Sequence, residues 1–364
     1  MKVKTKFLVG VVAALLSAGA VTAQAAGSIN LGNYSVTGNY ALDSLNGTSG
    51  GISGLEASAV TYAKDRVDPN TGKLGTLFFV GDEGTGVVEI SKTGQTIGNM
   101  AFNWTGTGST KHDTEGLTYL GGGVLVSTEE RLQDAYRYTY AAGSTVTLAN
   151  NFVSISNAKV GNDGIEGISY DPRGAGSFVT IKQQAPQDIL VGTLTFAAAT
   201  GGLPNPLTKD GASPTGGGMS TMAQLFNPTS LGLTTLSDVQ VLSTVDSLVG
   251  TTAADNLLLL SLGSRKLIEV NRSGNVLSSF DLSSVLNSAG GNFNAIEGVT
   301  IDEKGTIYLV AEQLQGAGAT AFSKSQLIVL SAPVPEPESY AMLLAGLGLI
   351  GFAARRKKQQ SDAL

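Results

Sequence analysis

The chain has 364 residues, with 29 Asp and Glu against 23 Lys and Arg, which leaves a formal net charge of −6. This acidic balance excludes the basic surface that nucleic acid requires. The absence of cysteine excludes disulfides, thiolate zinc sites and cysteine nucleophiles, and the single histidine excludes a multi-histidine metal site.

The first residues carry the features of a secretory signal peptide. Three lysines within Met1–Lys6 precede the apolar run Phe7–Ala20, and Ala23-Gln24-Ala25 supplies the small residues of a cleavage site. The apolar run is too short for a membrane span. We therefore predict a signal peptide over residues 1–25 and an exported domain over residues 26–333.

Between residues 31 and 331, short apolar runs alternate with Gly, Asn, Asp and Thr, which is typical of many short β-strands joined by tight turns. One motif recurs roughly every 50–70 residues. Its copies are Ser53–Ala57, Asp113–Tyr119, Asp163–Tyr170, a degenerate Leu236–Val239, and Ala295–Ile301.

Each copy leads into a second and a third apolar strand, and units one, two and four show a fourth. Four strands in roughly 50 residues is the size of a β-propeller blade, so the sequence predicts an all-β propeller of five blades. The fifth unit has three strands, and we expect Tyr34–Leu42 to supply the fourth and close the ring, which removes unpaired edges. Residues 196–233 are predicted to form a long surface loop, and six blades remain an alternative if that stretch hides one.

The C-terminal region contains Pro335-Glu336-Pro337, then the apolar run Tyr340–Ala353 and the basic cluster Arg355–Lys358. As a helix that run spans roughly 21 Å, less than the hydrocarbon core of about 30 Å. This order resembles the PEP-CTERM sorting signal of Gram-negative envelope proteins. The resemblance implies that residues 334–364 hold the protein in the inner membrane, facing the periplasm, until a sorting enzyme removes them and the protein reaches the cell surface or extracellular matrix. A permanent C-terminal anchor is the alternative.

The central region resembles a second family. The strings Asp113–Tyr119 with Ser127–Arg131, Phe79–Gly84 and Asn162–Gly167 are similar to those of the SdiA-regulated family. That family comprises exported bacterial β-propellers whose blade pattern is similar to that of phytase-like and esterase-like propellers. The resemblance covers roughly residues 50–331, with residues 196–233 outside it.

Acidic residues recur at two places in the predicted blades. The repeated motif predicts that Glu56, Glu115, Glu166 and Glu297 occupy equivalent positions on the inner strands, facing one another across the channel. Further acidic residues follow the second strands, near the same mouth. The predicted metal-site residues are therefore Glu56, Asp82, Glu83, Glu115, Glu129, Glu130, Glu166, Glu297 and Glu312. Carboxylates without His or Cys suit calcium or magnesium, and the resemblance to calcium-binding phytase-like propellers implies calcium.

Two features oppose or limit such a site. A glutamate repeated in every blade could instead bond backbone amides of the next blade and bind nothing. The acidic pattern is also incomplete, because Ser237 replaces the motif glutamate in blade four, and Gln183, Gln184 and Gly263 follow second strands where acidic residues are expected. Any site should therefore lie towards blades one, two and five.

The sequence is compatible with three functions. The first is an exported ligand- or partner-binding propeller, with Arg131 and Lys182 as ligand-binding candidates beside the acidic mouth. The second is a calcium-dependent hydrolase of phosphate or carboxylic esters, in which Arg131, Lys182 or Arg265 would clamp an anion. The third is a structural protein associated with an exopolysaccharide matrix. Since His112 has only its strand neighbour Asp113 as an orienting acid, a histidine-based triad is disfavoured, and the sequence favours the binding module.

Overall fold

The computed structural model describes residues 27–42, 56–158, 160–183, 186–203, 210–285, 288–289, 292–312 and 325–332, together with residues 346, 347 and 350. The predicted signal peptide and the Pro-Glu-Pro motif lie outside these residues. The chain divides into two compact units, one ending at Ser331 and one starting at Ala332. Within the described residues there is no helix that is long and apolar enough to span a membrane.

The first unit is an all-β propeller whose strands form five blades, as the repeat predicts. The chain enters with β1 (Ser35–Ala41), which belongs to the last blade. Blade one contains β2 (Ala57–Val67), β3 (Leu74–Gly81), β4 (Gly86–Ile90) and β5 (Thr96–Asn103). Blade two contains β6 (Thr114–Gly121), β7 (Val124–Glu129), β8 (Asp134–Thr139) and, after a short β9 (Thr145–Thr147), β10 (Phe152–Ser154). β9 pairs in parallel with β5, as a fifth strand of blade one.

The remaining blades follow the same plan. Blade three contains β11 (Ile165–Asp171), β12 (Ser177–Lys182), β13 (Asp188–Gly192) and β14 (Ala223–Phe226). Blade four contains β15 (Leu236–Val241), β16 (Leu257–Ser261), β17 (Lys266–Val270) and β18 (Val276–Asp281). A small hairpin, β19 (Ser288–Ala289) and β20 (Asn292–Phe293), precedes blade five, which contains β21 (Ile296–Ile301), β22 (Ile307–Ala311) and β23 (Gln326–Ser331).

Ring closure occurs as the sequence predicts. β1 pairs antiparallel with β23 and completes the fourth strand of blade five. The residues just before β1 are fastened to blade four, where Leu31 N–H donates to Ser278 Oγ at 3.0 Å and Asn256 Nδ2 donates to Gly27 O at 3.0 Å. The N-terminal segment therefore links the fourth blade to the fifth, and no long edge is left open between first and last segments.

The prediction for residues 196–233 needs correction. This stretch is not only a loop, because its end forms β14, the outer strand of blade three. Its middle lies against blade two, where Phe152 pairs with Ala197 and Ser213 Oγ donates to Asp134 Oδ1 at 2.9 Å. The strand was missed because Ala223–Phe226 has four residues and none of them is buried, so it lacks the apolar alternation of an inner strand.

Adjacent blades are joined by one repeated hydrogen bond near the middle of each inner strand. In each inner strand, the residue three positions after the motif position of Glu115 and Glu297 has a hydroxyl or amide side chain. This side chain hydrogen-bonds the inner strand of the neighbouring blade. These bonds are Tyr119 N to Thr61 Oγ1 (3.0 Å), Tyr170 N to Thr118 Oγ1 (2.9 Å), Val241 N to Ser169 Oγ (3.0 Å), Thr300 Oγ1 to Gln240 Oε1 (3.1 Å) and Tyr62 N to Thr300 Oγ1 (3.1 Å). Together they form a closed ring of five joints, one between each pair of neighbouring blades.

Candidate functional site

Each inner strand contains a β-bulge close to its start, and the bulge decides which residues are equivalent between blades. In blade two, Thr114 pairs with Glu129 and Gly116 with Thr128, so Glu115 is the extra residue. In blade five, Ile296 pairs with Ala311 and Gly298 with Val310, so Glu297 is the extra residue. The same position is held by Glu166 in blade three, Ser237 in blade four and Ser58 in blade one.

The predicted equivalence of Glu56 with the other motif glutamates is therefore wrong. Glu56 lies two residues earlier, at the position that Asp113 holds in blade two. The backbone confirms this assignment, because Asp82 N–H donates to Glu56 O and Glu130 N–H donates to Asp113 O. Matching the letters Leu-Glu-Ala with Thr-Glu-Gly shifts the alignment by two, because blade one has Ser58 at the motif position and a glutamate two residues before it.

A second set of equivalent residues directly follows the second strand of each blade. The registers place Asp82, Glu130, Gln183, Leu262 and Glu312 at this position in blades one to five. Blades one, two and five therefore carry acids here, whereas blades three and four carry an amide and an apolar side chain. This is the lopsided distribution that the sequence indicates.

The glycine of the repeated Glu-Gly pair has a packing role. A Cβ on Gly116 would lie 2.5 Å from Glu166 O, and a Cβ on Gly298 would lie 2.8 Å from Ala59 Cα. Contacts this short are not tolerated, so glycine lets the inner strands of neighbouring blades approach closely. The close approach is also what brings the glutamates of different blades together.

Two groups of carboxylates form at this mouth. The rim cluster is Glu56, Asp82 and Glu312, contributed by blades one and five, and the blade-two cluster is Asp113, Glu115 and Glu130. Within each cluster one oxygen from every side chain lies within 4.8 Å of the others. Glu297 interacts electrostatically with Glu56, Asp82 and Glu312, and it also contributes to the field at Glu115 and Glu166. The two clusters therefore share one acidic environment.

The rim cluster is partly open to solvent and rich in negative charge. Burial raises the pKa of Asp82 to about 8, with further contributions from the charges of Glu83, Glu56 and Glu312. Burial raises the pKa of Glu312 to about 7, and the charge of Glu56 adds to this effect. Glu83, whose pKa is also raised by burial, accepts a hydrogen bond from Glu56 N–H at 3.0 Å.

Two oxygens near the rim cluster lack a hydrogen-bond donor. Asp82 Oδ1 is buried and has no partner. Asn294, which is 1% exposed, donates from Nδ2 to Glu312 O, while its Oδ1 has no partner. A buried acceptor without a donor costs about 1–3 kcal/mol, so both oxygens are suited to a cation or a donor that the protein itself does not supply. The sequence offered no signal for Asn294, because it precedes the repeated motif.

The blade-two cluster is more deeply buried. Burial raises the pKa of Glu115 and of Glu166 well above the usual range, and the neighbouring carboxylates reinforce the effect. Burial raises the pKa of Glu130 to about 8, and its carboxyl hydrogen-bonds that of Glu166. Two carboxyls can form such a bond only when they share a proton. Arg131 pairs with Asp113 through Nε and lies 3.7 Å from Asp210 Oδ1, so this cluster has a cationic neighbour.

The hydrogen bonds between blades test the alternative in which the repeated glutamates bind nothing and only hold neighbouring blades together. Five inter-blade joints are made by Thr61, Thr118, Ser169, Gln240 and Thr300, as described above, and not by the motif glutamates. Asp238 makes a further one, accepting from Val299 N–H at 2.7 Å. Among the predicted site residues, Glu130 does contact the next blade, where its Oε1 accepts from Gly164 N–H at 3.2 Å.

Other predicted residues are not members of either cluster. Glu129 points to the other side of its strand, where it accepts from Ser109 Oγ and Leu132 N–H, each at 2.7 Å. Lys182 ends β12 and pairs in register with Ile165 and Asp188. Arg265 occupies a turn with φ of 52° between β16 and β17.

His112 has a different environment from that of a catalytic base. Its ring stacks on Trp104 with centroids 4.9 Å apart, and burial lowers its pKa. Its backbone N–H donates to Ser109 Oγ at 2.9 Å. The stacked pair lines a groove that includes Glu83, next to the rim cluster.

The fold and this mouth define a five-bladed β-propeller whose channel opens between carboxylates of neighbouring blades. The SdiA-regulated family matches residues 40–313, and the chain belongs to that family. The PEP-CTERM protein-sorting motif matches residues 333–357, which implies export and membrane-anchored sorting in a Gram-negative bacterium.

Solved structures show likeness at low identity. Glutaminyl cyclase from Myxococcus xanthus is 10% identical, with 83% of this chain and 97% of that chain covered and a TM-score of 0.44. A streptogramin B lyase is 11% identical, with 84% and 100% covered and a TM-score of 0.36. Likeness at this level carries no argument about activity.

Proposed function

We propose that this protein is an exported surface propeller that binds a ligand or partner through calcium held by the rim cluster of Glu56, Asp82 and Glu312. The observation that carries the proposal is the convergence of these three carboxylates from two blades, with oxygens within 4.8 Å of one another. Calcium takes six to eight oxygen ligands in flexible geometry, which such a set can begin to satisfy. The remaining ligands would be water, backbone oxygens or an incoming ligand.

The choice of the rim cluster over the blade-two cluster rests on charge and access. Arg131 pairs with Asp113 in the blade-two cluster, which is also the more deeply buried of the two. Among the described residues, Asp82 and Glu312 form no ion pair with an arginine or lysine, and the three rim side chains are partly exposed. Since a dication must displace protons and solvent but not an arginine, the rim cluster is the less costly place to bind it.

The rim position would leave part of the coordination sphere facing outwards. A ligand with a carboxylate, phosphate or pair of hydroxyls could then complete the sphere and bridge to the propeller. Calcium would in this way link the acidic mouth, which repels anions by itself, to an anionic or hydroxyl-rich partner. The sorting motif supports a partner in the cell envelope or extracellular matrix, such as exopolysaccharide. The protein would meet this partner after the sorting enzyme has released it from the inner membrane.

One observation favours a hydrolytic function as a second candidate. Arg131 lies beside acidic residues and could clamp an anionic oxygen of a phosphate or carboxylic ester. It is already held by Asp113 and bonds Asn162 Oδ1, so it would have to be released to serve substrate. Because these partners engage the guanidinium, the binding module is favoured over the hydrolase.

Calorimetric titration of the protein with calcium tests the proposal. We expect about one calcium per chain with heat that is lost in Asp82→Asn and in Glu312→Gln. Asp281→Asn removes the same charge from an exposed position on blade four and should bind as the wild type does. Calcium heat that survives both rim variants, or no heat at millimolar calcium, would refute a rim site. Release of phosphate or carboxylate from ester substrates in the presence of calcium would instead support the hydrolytic function.

A further inference from the structure

The loop between β3 and β4 carries two acidic residues of the mouth. It comprises residues 82–85 and contains Asp82, a member of the rim cluster, and Glu83. Gly84 N–H donates to Gly81 O at 3.0 Å, and the backbone of Gly84 lies in the left-handed region, with a φ of 57°. The conformation of this turn therefore sets where the carboxylate of Asp82 lies.

Trp104 directly follows β5 and holds this loop through a hydrogen bond. Its indole Nε1–H donates to Gly84 O at 2.6 Å. Trp104 is fixed in turn, because its carbonyl oxygen accepts from the backbone N–H of the buried Thr107 at 3.1 Å and from the hydroxyl of the same residue at 2.9 Å. A well-anchored side chain thus bonds the backbone two residues after Asp82.

The indole ring of Trp104 is held by three other rings. The ring of His112 stacks on it at an interplanar angle of 12°, and Phe102 and Tyr136 meet it edge-on, with centroids 6.2 and 5.4 Å away. The loop also fits tightly against the backbone of His112, since a Cβ on Gly84 would lie 2.0 Å from His112 O. His112 itself has a φ of 64°, a conformation that a residue other than glycine keeps only where its surroundings impose it.

Asp82 depends on its backbone for its position. Its Oδ1 is buried and has no hydrogen-bond partner among the described residues. The charges of Glu56 and Glu312 oppose its ionisation, so the charged carboxylate is repelled by the other members of the rim cluster. A repelled side chain stays in the cluster only if the loop that carries it is held in place, and the bond from Trp104 to Gly84 O holds that loop.

Packing alone does not account for a tryptophan at this position. Trp104 packs, partly buried, against the core residues shared by blades one and two, and another aromatic ring could fill that place. Tryptophan differs from phenylalanine in having an N–H that donates a hydrogen bond. At this position the N–H is used on the loop of the rim cluster.

We infer that Trp104 is a positioning residue for the rim cluster, because its indole N–H fixes the loop that presents Asp82 to a cation. The inference rests on the proposed calcium site and adds to it a residue that acts from outside the ligand set. Outer partners of this kind orient metal ligands, and their loss typically weakens metal binding by about 10- to 100-fold.

Trp104→Phe separates positioning from packing, because it keeps an aromatic ring and removes the indole N–H. We expect the calorimetric Kd for calcium to rise about tenfold. The matched control is Phe152→Leu, which trims a ring that is 1% exposed in the same group of core residues. The control should lower the melting temperature and leave the Kd unchanged. Trp104 is also the single tryptophan of the chain, so calcium should change its fluorescence with a midpoint at the calorimetric Kd, and Asp82→Asn should abolish that change.

Amide hydrogen exchange tests the same inference without calcium. In metal-free Trp104→Phe, residues 82–85 should exchange roughly fivefold faster than in the wild type, because one bond that holds the loop is gone, and in Phe152→Leu they should exchange at the wild-type rate. An unchanged Kd or unchanged loop exchange in Trp104→Phe would overturn the inference and leave the calcium site standing. Absence of calcium heat from the wild type would refute the rim site and the inference together.

Discussion

The sharpest prediction concerns the carboxylate of Glu312, which should destabilise the metal-free protein and stabilise the calcium-bound one. Burial beside Glu56 and Glu83 raises its pKa from the ordinary 4.5 to about 7. A folded-state pKa above the unfolded value means that the folded state holds the proton more tightly. Its contribution to stability is therefore complete at low pH and is lost as pH rises through about 7.

The magnitude follows from this difference in pKa. At about 1.4 kcal/mol per pH unit, an ionised Glu312 at pH 8 costs the folded state about 3 kcal/mol. Water reaches the partly exposed rim, and screening reduces the cost to about 1–2 kcal/mol. Glu312→Gln keeps the shape and removes the charge, so the metal-free variant should be more stable than wild type by about 1–2 kcal/mol at pH 8. At pH 4, where the side chain is protonated, the two should be equal.

Calcium should reverse this order. Binding at 100 times Kd stabilises the wild type by about 2.7 kcal/mol, whereas the variant has lost a ligand and gains little. The wild type should then be the more stable protein at pH 8 by about 1 kcal/mol, and by more at higher calcium. Urea unfolding followed by circular dichroism, at pH 4 and 8 with and without calcium, measures all four differences. Asp281→Asn should not show the reversal on addition of calcium.

Two results would refute the reasoning. If metal-free Glu312→Gln is less stable than wild type at pH 8, the carboxylate is an acceptor that the ring needs and not a repelled charge. If the variant is more stable both with and without calcium, the charge is repelled but calcium does not bind there.

Three further outcomes are expected. Thr118→Val leaves the buried Tyr170 N–H without an acceptor and should lower the stability measured by thermal unfolding by about 1–3 kcal/mol. Its calcium affinity should be unchanged, and an altered affinity would contradict the separation of the inter-blade hydrogen bond from the calcium site. Arg131→Gln frees Asp113 and should raise the calorimetric calcium stoichiometry from one towards two, whereas an unchanged value would show that the arginine does not restrain the blade-two cluster. Glu336→Ala should retain the protein in the inner-membrane fraction, while the neighbouring Glu338→Ala should sort normally; equal fractionation of the two would mean that the Pro-Glu-Pro motif is not what is recognised.

Much of the architecture could be predicted from the sequence because it rests on local and periodic signals. Short apolar runs between turn residues indicate strands, and repetition of one motif indicates blades. Closure by Tyr34–Leu42 could be inferred by counting, since a blade of three strands leaves an edge unpaired. The family was also recognisable, because strings such as Asp113–Tyr119 are contiguous in the chain.

The site could be predicted in composition but not in arrangement. Repetition identified the carboxylates and the depleted blades three and four, where Ser237, Gln183, Gln184 and Gly263 interrupt the acidic pattern. It could not reveal that Glu56 is the counterpart of Asp113, because only strand pairing shows that Ser58, and not Glu56, occupies the motif position in blade one. The outer strand Ala223–Phe226 could not be predicted either. It is a strand because it pairs with β13, and its residues lack the apolar pattern that indicates a strand in a sequence.

The sequence by itself therefore determined the class of fold, the number of repeats and the chemical type of the acidic mouth, since each of these is written in local pattern and residue type. Only the tertiary structure decided which carboxylates stand together and which hydrogen bonds join the blades. Distances between Glu312 of the last blade and Asp82 of the first depend on strand register and on closure of the ring. Both are set by contacts between residues far apart in the chain, and no local signal reports them.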